Sequence, residues 1–132
     1  MDKIEHINYW LNSAKDDWEA VLDIAIAKRY VHSLFFAHLV LEKILKAHWV
    51  KDNEENHPPR IHNLIRLAAQ TKLEIPDEML IFMDKFNDFQ LEGRYPDYAN
   101  SIYKVANKEY TERILLQVES IRTWLLSKMP SV

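Results

Sequence analysis

Apolar and polar residues alternate along the chain with the period of an α-helix, in segments separated by short breaks. In the first segment, from about residue 2 to 28, apolar positions recur three or four apart and charged positions fall between them. The pattern predicts a long amphipathic helix with one face in the core. Its apolar face consists of Ile4, Ile7, Leu11, Ala14, Trp18, Val21, Leu22 and Ala25.

The second segment has the widest apolar face and is predicted to be a central helix. It follows a break near Arg29 and Tyr30 and ends at about Lys51. Trp18 and Trp49 are predicted core residues, and Trp10 lies beside the main apolar face of the first helix. The central apolar face consists of Leu34, Phe35, Phe36, Ala37, His38, Leu41, Ile44, Leu45, His48 and Trp49.

Proline and glycine divide the second half of the chain. Pro58-Pro59 lies in a polar loop from Asp52 to Arg60, and a short helix is predicted from Ile61 to about Thr71. Pro76 is predicted at the first position of a fourth helix. Gly93, the only glycine, is expected to end that helix in a left-handed turn.

A last long helix follows, with its apolar face running from Ile102 to Leu125. One glycine in 132 residues argues against β folds, which use glycine in their turns. The chain is therefore predicted to be all-α, an up-and-down bundle of about five helices forming a single domain over residues 1–132.

Composition restricts the function. The net charge of −3 gives no general basic face, so nucleic acid binding would need a local basic site. Without cysteine there are no disulfides or thiolate metal sites, and the histidines lack the spacing of a helical zinc site. We therefore expect no metal and no cofactor. No segment has the length of a membrane span or the pattern of a signal peptide, which predicts a cytoplasmic protein with no membrane contact.

Three short segments occur in an order typical of one family. Residues 41–47 read LEKILKA, residues 61–64 read IHNL, and residues 94–97 read RYPD. These segments resemble the Ala-x-Glu-Lys-x-Leu-Lys-Ala, His-Asp/Asn-Leu and Arg-Tyr-Pro signatures of HEPN domains. The resemblance covers most of the chain.

The resemblance implies a bundle of four or five helices, which in this family is often a homodimer. Many HEPN proteins stand beside a separate small nucleotidyltransferase in toxin–antitoxin pairs, and many others are metal-independent ribonucleases. In the ribonucleases an arginine is followed a few residues on by a histidine. Here Arg94 is present, but the last histidine of the chain is His62. The departure makes ribonuclease activity uncertain and leaves the expected fold unchanged.

Arg94 is the main candidate site residue, because an arginine at a helix start can hold a phosphate. A salt bridge to Asp97 or Glu92 is the alternative. Tyr95 is expected to shape the turn with Pro96. The candidate ligand-binding residues are Arg94, Tyr95, Lys43, Lys46 and Glu42, with Lys43 or Lys46 expected beside Arg94.

Two of these assignments have a structural alternative. Glu42 and Lys46 are spaced for a surface ion pair. His62 would act as an acid or base near Arg94, or else would form a polar cap of the third helix or a hydrogen bond that fixes the preceding loop. The candidate catalytic residues are Arg94, Asp97, Tyr98 and His62.

Three functions agree with the sequence. The first is a nucleotide- or RNA-binding module that dimerises and works with a separate nucleotidyltransferase in a toxin–antitoxin-like system. The second is a metal-independent ribonuclease toxin with an atypical site. The third is a helical domain that only binds another protein.

Overall fold

A computed structural model describes residues 1–94 and 104–130, but not the side chains of residues 91–94, and these residues contain five helices. No strand occurs within those ranges, so the predicted all-α class is confirmed. The helices are α1 Lys3–Ile26, α2 Tyr30–Asp52, α3 Leu64–Ala69, α4 Asp77–Arg94 and α5 Lys108–Ser127.

The first two long helices form an antiparallel hairpin. Near the turn, the Ser33 hydroxyl donates a 2.9 Å hydrogen bond to the Val21 carbonyl. At the far end, the Lys3 ammonium donates to the Val50 carbonyl at 2.7 Å. The chain reverses at Lys28, whose φ of 66° is in the left-handed region.

The direction of the other long helices follows from contacts at their ends. The His48 ring bonds the Leu125 carbonyl, and Tyr30 lies beside the start of α5, so α5 runs in the same direction as α2. The Phe89 ring lies 6.5 Å from the ring of Tyr110, at the start of α5. Helix α4 therefore runs against α2 and α5, which confirms the up-and-down order.

Helix α2 is central, as predicted. Most of its surface is covered by the other four helices, and Leu34, Leu41 and Leu45 are completely buried. Trp18 and Trp49 are buried as well, which confirms their assignment to the core. Because the helix is covered on nearly all sides, its polar residues are also forced into the interior.

The third helix begins later than predicted, at Leu64 instead of Ile61. The Asn63 side chain accepts hydrogen bonds from the backbone N–H groups of Ile65 and Arg66, which fixes the start of the helix. Asn63 therefore caps α3, and His62 does not. Nδ1 of His62 instead lies 3.1 Å from the Glu42 carboxylate, which agrees with the other alternative, a hydrogen bond that fixes the preceding loop.

The ends of the last two helices also differ from the prediction. Pro76 lies just before α4 and its carbonyl accepts from two N–H groups of the first turn. The helix continues through Gly93 to Arg94, so the predicted helix end at Gly93 is wrong. Glycine tolerates a helical backbone at a cost of only about 1 kcal/mol. Helix α5 begins at Lys108, after its cap Asn107, so Val105 and Ala106, which were predicted on its apolar face, precede it; Ile102 lies outside the described residues.

In the part of the chain that is described, no helix is both long enough and apolar enough to cross a membrane.

Candidate functional site

Three ionisable residues form a row along one side of α2. His38, Glu42 and Lys46 are four residues apart, and their exposed fractions are 0%, 3% and 7%. A buried charge is costly unless it is paired and hydrogen-bonded. The row therefore requires partners, and the other helices supply them.

Glu42 is the centre of the row. Its carboxylate accepts from the Lys46 ammonium at 3.1 Å and lies 3.1 Å from Nδ1 of His62. Nδ1 of His38 is 3.9 Å from the same carboxylate. His62 itself is only partly buried, with 39% of its side chain exposed. The carboxylate thus links a buried histidine, a buried lysine and a histidine that reaches solvent.

Asn87 of α4 closes the row at its other end. Its side-chain oxygen accepts the Leu64 N–H at 2.9 Å and lies 3.2 Å from Nε2 of His38. Because that oxygen can only accept, Nε2 of His38 is the donor, and Nδ1 faces Glu42. We call His38, Glu42, Lys46, His62 and Asn87 the Glu42 cluster; it joins α2, α3 and α4.

The Glu42–Lys46 ion pair predicted from the sequence exists, but its placement on the surface is wrong. Both side chains are more than nine-tenths buried. The residues before α3 cover Glu42 through His62, and Trp10 of α1 lies against the Lys46 ammonium, 5.3 Å from its ring centroid. Removing one partner of a buried ion pair destabilises the fold much more than removing one partner of a surface pair.

A pocket of about 470 Å³ opens beside Lys46, between the start of α1, α2 and the loop after α2. We call it the Lys46 pocket. Four rings and a second cation, Arg60, stand in its wall. The lining residues are Met1, His6, Tyr9, Trp10, Lys46, Asn56, His57, Pro58, Pro59 and Arg60.

Lys43 lies on another side of α2. Its ammonium contacts the Asp17 carboxylate at 2.6 Å and donates to the Ser13 hydroxyl at 2.8 Å. Both partners are on α1. Lys43 therefore belongs to neither the Glu42 cluster nor the Lys46 pocket, although the sequence placed it with Lys46.

The backbone of Arg94 is at the end of α4 and not at a helix start, so that prediction is wrong, and it is far from Lys46 along the bundle. Asn87 is level with His38, and α4 then runs toward the start of α2 while Lys46 lies toward its end. With 1.5 Å per residue, the separation along the bundle axis is about 20 Å. These helix directions contradict the expectation that Lys43 or Lys46 lies beside Arg94 of the same chain. The Arg94 side chain, Tyr95, Asp97 and Tyr98 lie outside the described residues.

A second group of polar residues near the end of α2 has a different character. Burial lowers the pKa of His48, an effect only partly offset by its 2.8 Å hydrogen bond to the Leu125 carbonyl. Burial acts to raise the pKa of Asp52, but hydrogen bonds from the Lys72 N–H and from Lys51 outweigh it and lower this pKa. These two residues have a structural role: His48 bonds α2 to α5, and Asp52 bonds the end of α2 to Lys72.

Sequence reasoning missed His38, Asn87, Trp10 and Arg60 as members of polar sites. The spacing of His38, Glu42 and Lys46 at intervals of four was a usable signal, because such residues share one side of a helix. Asn87 and Arg60 carried no local signal, since they join the site only through tertiary packing. Among the described residues, no group of three potential ligands could hold a metal ion.

The comparisons with known proteins agree with this architecture. Residues 7–129 match the HEPN domain family, and the chain belongs to that family. The crystal structure of TT1696 from Thermus thermophilus shares the fold, with a TM-score of 0.77 over 93% of this chain and 98% of that chain. At 17% sequence identity this likeness shows the fold alone. No curated protein sequence matches the chain significantly.

Proposed function

We propose that the chain is a single-domain, HEPN-type nucleotide- or RNA-binding module. In this proposal it forms a homodimer and acts with a separate nucleotidyltransferase in a toxin–antitoxin-like system. The observation that carries the proposal is the Glu42 cluster. There, Glu42 and Lys46 from one signature segment meet His62 from another, 3.1 Å from the shared carboxylate.

The cluster suits a polar ligand because it is ordered before the ligand arrives. The carboxylate fixes both the His62 imidazole and the Lys46 ammonium, so neither has to lose conformational freedom on binding. His62 is partly exposed and can meet a phosphate at the surface. In this proposal Arg94, followed in sequence by Tyr95, supplies a phosphate contact at a separate point on the bundle.

The net charge of −3 limits how the module would hold RNA. A few local cations would contact few phosphates, and affinity would then fall only weakly with salt. A short single-stranded segment or a nucleotide agrees better with this charge than a long duplex does.

Binding of fluorescently labelled nucleotides and short single-stranded RNA tests the proposal by polarisation. Arg94→Ala is expected to weaken RNA binding roughly tenfold, because a charge-assisted hydrogen bond contributes about 1.5–3 kcal/mol. Lys85→Ala is the matched control, since it removes one exposed cation from the same helix. Absence of binding by the wild-type protein, or equal losses in the two variants, would count against the module.

A ribonuclease with an atypical site is the second candidate, and one observation favours it. Nδ1 of His62 faces the Glu42 carboxylate, an arrangement that orients an imidazole for acid–base catalysis. Because Arg94 lies more than about 10 Å from His62 along the bundle of one chain, this mechanism needs a homodimer: His62 of one chain moves the proton, and Arg94 of the other, with Asp97 or Tyr98 nearby in sequence, holds the phosphate. RNA cleavage in EDTA that disappears in both His62→Ala and Arg94→Ala would establish it. An inactive wild-type protein would remove it.

Protein binding alone is the third candidate. A groove of about 620 Å³ lies between α4 and α5, and Ile81 on its edge is 58% exposed. Apolar surface of this kind is common where proteins associate. If nucleotides and RNA do not bind while size-exclusion chromatography with light scattering shows a dimer, this function replaces the first.

A further inference from the structure

We infer that the Lys46 pocket is a binding site for a nucleoside monophosphate. The pocket is formed by the start of α1, the second half of α2 and the loop after it, far along the bundle from Arg94. The inference rests on the proposed function and deepens it, because it names the ligand class and the pocket that the Glu42 cluster reaches through Lys46. It rests on four features of the pocket and uses none of the residues after α4.

The first feature is a buried cation. Lys46 is only 7% exposed, yet it lines the pocket. One of its three protons is taken by Glu42, at 3.1 Å, which leaves donors for a ligand. Arg60 lies in the same wall and is exposed. An ammonium and a guanidinium in one pocket favour a phosphate.

The second feature is the number of aromatic rings. Tyr9 and Trp10 meet edge to face with their centroids 5.3 Å apart, and His6 and His57 do so at 5.0 Å. Tyr9 is 56% exposed, so its ring is accessible. Aromatic rings can stack with any of the nucleobases.

The third feature is an acceptor without a donor. The side-chain oxygen of Asn56 lies in the pocket wall, is buried, and has no hydrogen-bond partner among the described residues. A buried acceptor left unsatisfied costs about 1–3 kcal/mol. An amine or hydroxyl of a ligand would satisfy it, which a fully deprotonated anion could not do.

The fourth feature is a wall that is fixed before binding. The Lys3 ammonium donates to the carbonyls of Val50 and Asn53, both at 2.7 Å, so it joins the start of α1 to the loop. Asn53 in turn donates to the Trp49 carbonyl, and Pro58-Pro59 stiffens the far side. A pocket held in this way loses little entropy when a ligand enters.

Size and charge select a mononucleotide over a polynucleotide. The volume of about 470 Å³ lies within the range of small-molecule pockets, about 300–1,000 Å³. Exposed acidic residues are close in sequence to the two segments that form the pocket: Asp2, which caps α1, and Glu5 in its first turn, and Glu54 and Glu55 in the loop. These carboxylates repel an extended phosphate backbone. Lys46 and Arg60 of the pocket wall can still bind a single phosphate.

Isothermal titration calorimetry with AMP, adenosine and inorganic phosphate tests the inference. We expect AMP to bind more tightly than either fragment, because only AMP uses the rings and the cations together. Arg60→Ala should weaken AMP at least tenfold, whereas Arg66→Ala, which removes an exposed cation outside the pocket, should not change it. Trp10→Leu should weaken AMP and adenosine alike.

The result that would overturn the inference is no AMP binding by folded wild-type protein, or AMP binding that Arg60→Ala and Trp10→Leu both leave unchanged. Lys46→Met is avoided as the main test because it leaves Glu42 buried without its cation. The Arg94→Ala variant separates this inference from the proposed function. It should retain AMP binding in the pocket even where it loses RNA.

Discussion

Two buried histidines on the same helix show how similar burial can serve different ends. His38 and His48 are ten residues apart on α2, and both are completely buried. The ring of His48 bonds a backbone carbonyl of α5. His38 instead belongs to the Glu42 cluster, which continues through Lys46 to an open pocket. Burial of a polar residue therefore does not by itself identify a functional site. What distinguishes His38 from His48 is that its contacts lead through Glu42 and Lys46 to a pocket that is open to ligands.

Removing the Glu42 carboxylate is expected to have the largest effect on stability. Glu42→Ala leaves the Lys46 ammonium buried without its carboxylate, so the free energy of unfolding should fall by about 3–5 kcal/mol. Urea denaturation measures it. Glu119→Ala, an exposed carboxylate on α5, is the control and should change stability by less than about 0.5 kcal/mol. A loss as small as the control would mean that the pair is solvated.

His48→Leu should have a smaller effect, because only a hydrogen bond between neutral groups is lost. The Leu125 carbonyl would be left unsatisfied, at a cost of about 1–3 kcal/mol. AMP and RNA binding should remain at the wild-type level in the same variant. Loss of ligand binding in a protein that is still folded would contradict the purely structural role of His48.

The same histidine gives a pH dependence of known sign. Burial lowers the pKa of His48, so below about pH 6.5 the unfolded chain binds a proton that the folded chain does not. Stability should therefore fall as the pH drops from about 7.5 to 5.5, by up to about 1.4 kcal/mol per unit. Urea midpoints across that range should show a shallower slope in His48→Leu. An unchanged slope would assign the pH dependence to other groups.

The smallest effect is expected for Lys43→Ala. The Lys43–Asp17 pair is about one-fifth exposed on each side, and such pairs contribute about 0.2–1 kcal/mol. Ligand binding should not change, because Lys43 faces α1 and lies outside the pocket. A binding loss in this variant, measured with the same probes as for Arg60→Ala, would show that the ligand contacts α1 and α2 on another side.

Most of the fold could be predicted from local pattern. The apolar period located the long helices and identified α2 as central, because a helix that is apolar nearly all round must be covered on most sides. Two helix boundaries differ from the prediction because of single residues whose effect the spacing of apolar residues does not show. Asn63 started α3 late through its side-chain cap, and Gly93 allowed α4 to continue.

The candidate site was predictable only where its members share a helix. Glu42 and Lys46 were correctly paired from their spacing, but their burial depends on Trp10 and His62, which come from distant parts of the chain. Lys43 and Lys46 are three residues apart and similar in sequence, yet they face different neighbours. The side to which each lysine points is decided by how α1 crosses α2, which spacing alone does not give.

The most direct test is an NMR titration that follows the indole N–H signals of Trp10 and Trp49. Trp10 lines the Lys46 pocket, whereas the Trp49 indole N–H donates to Gln70 at 2.8 Å and lies outside it. The account predicts that AMP moves the Trp10 signal in a saturable way and leaves Trp49 in place. Movement of Trp49 alone, or of neither signal at saturating AMP, would contradict it.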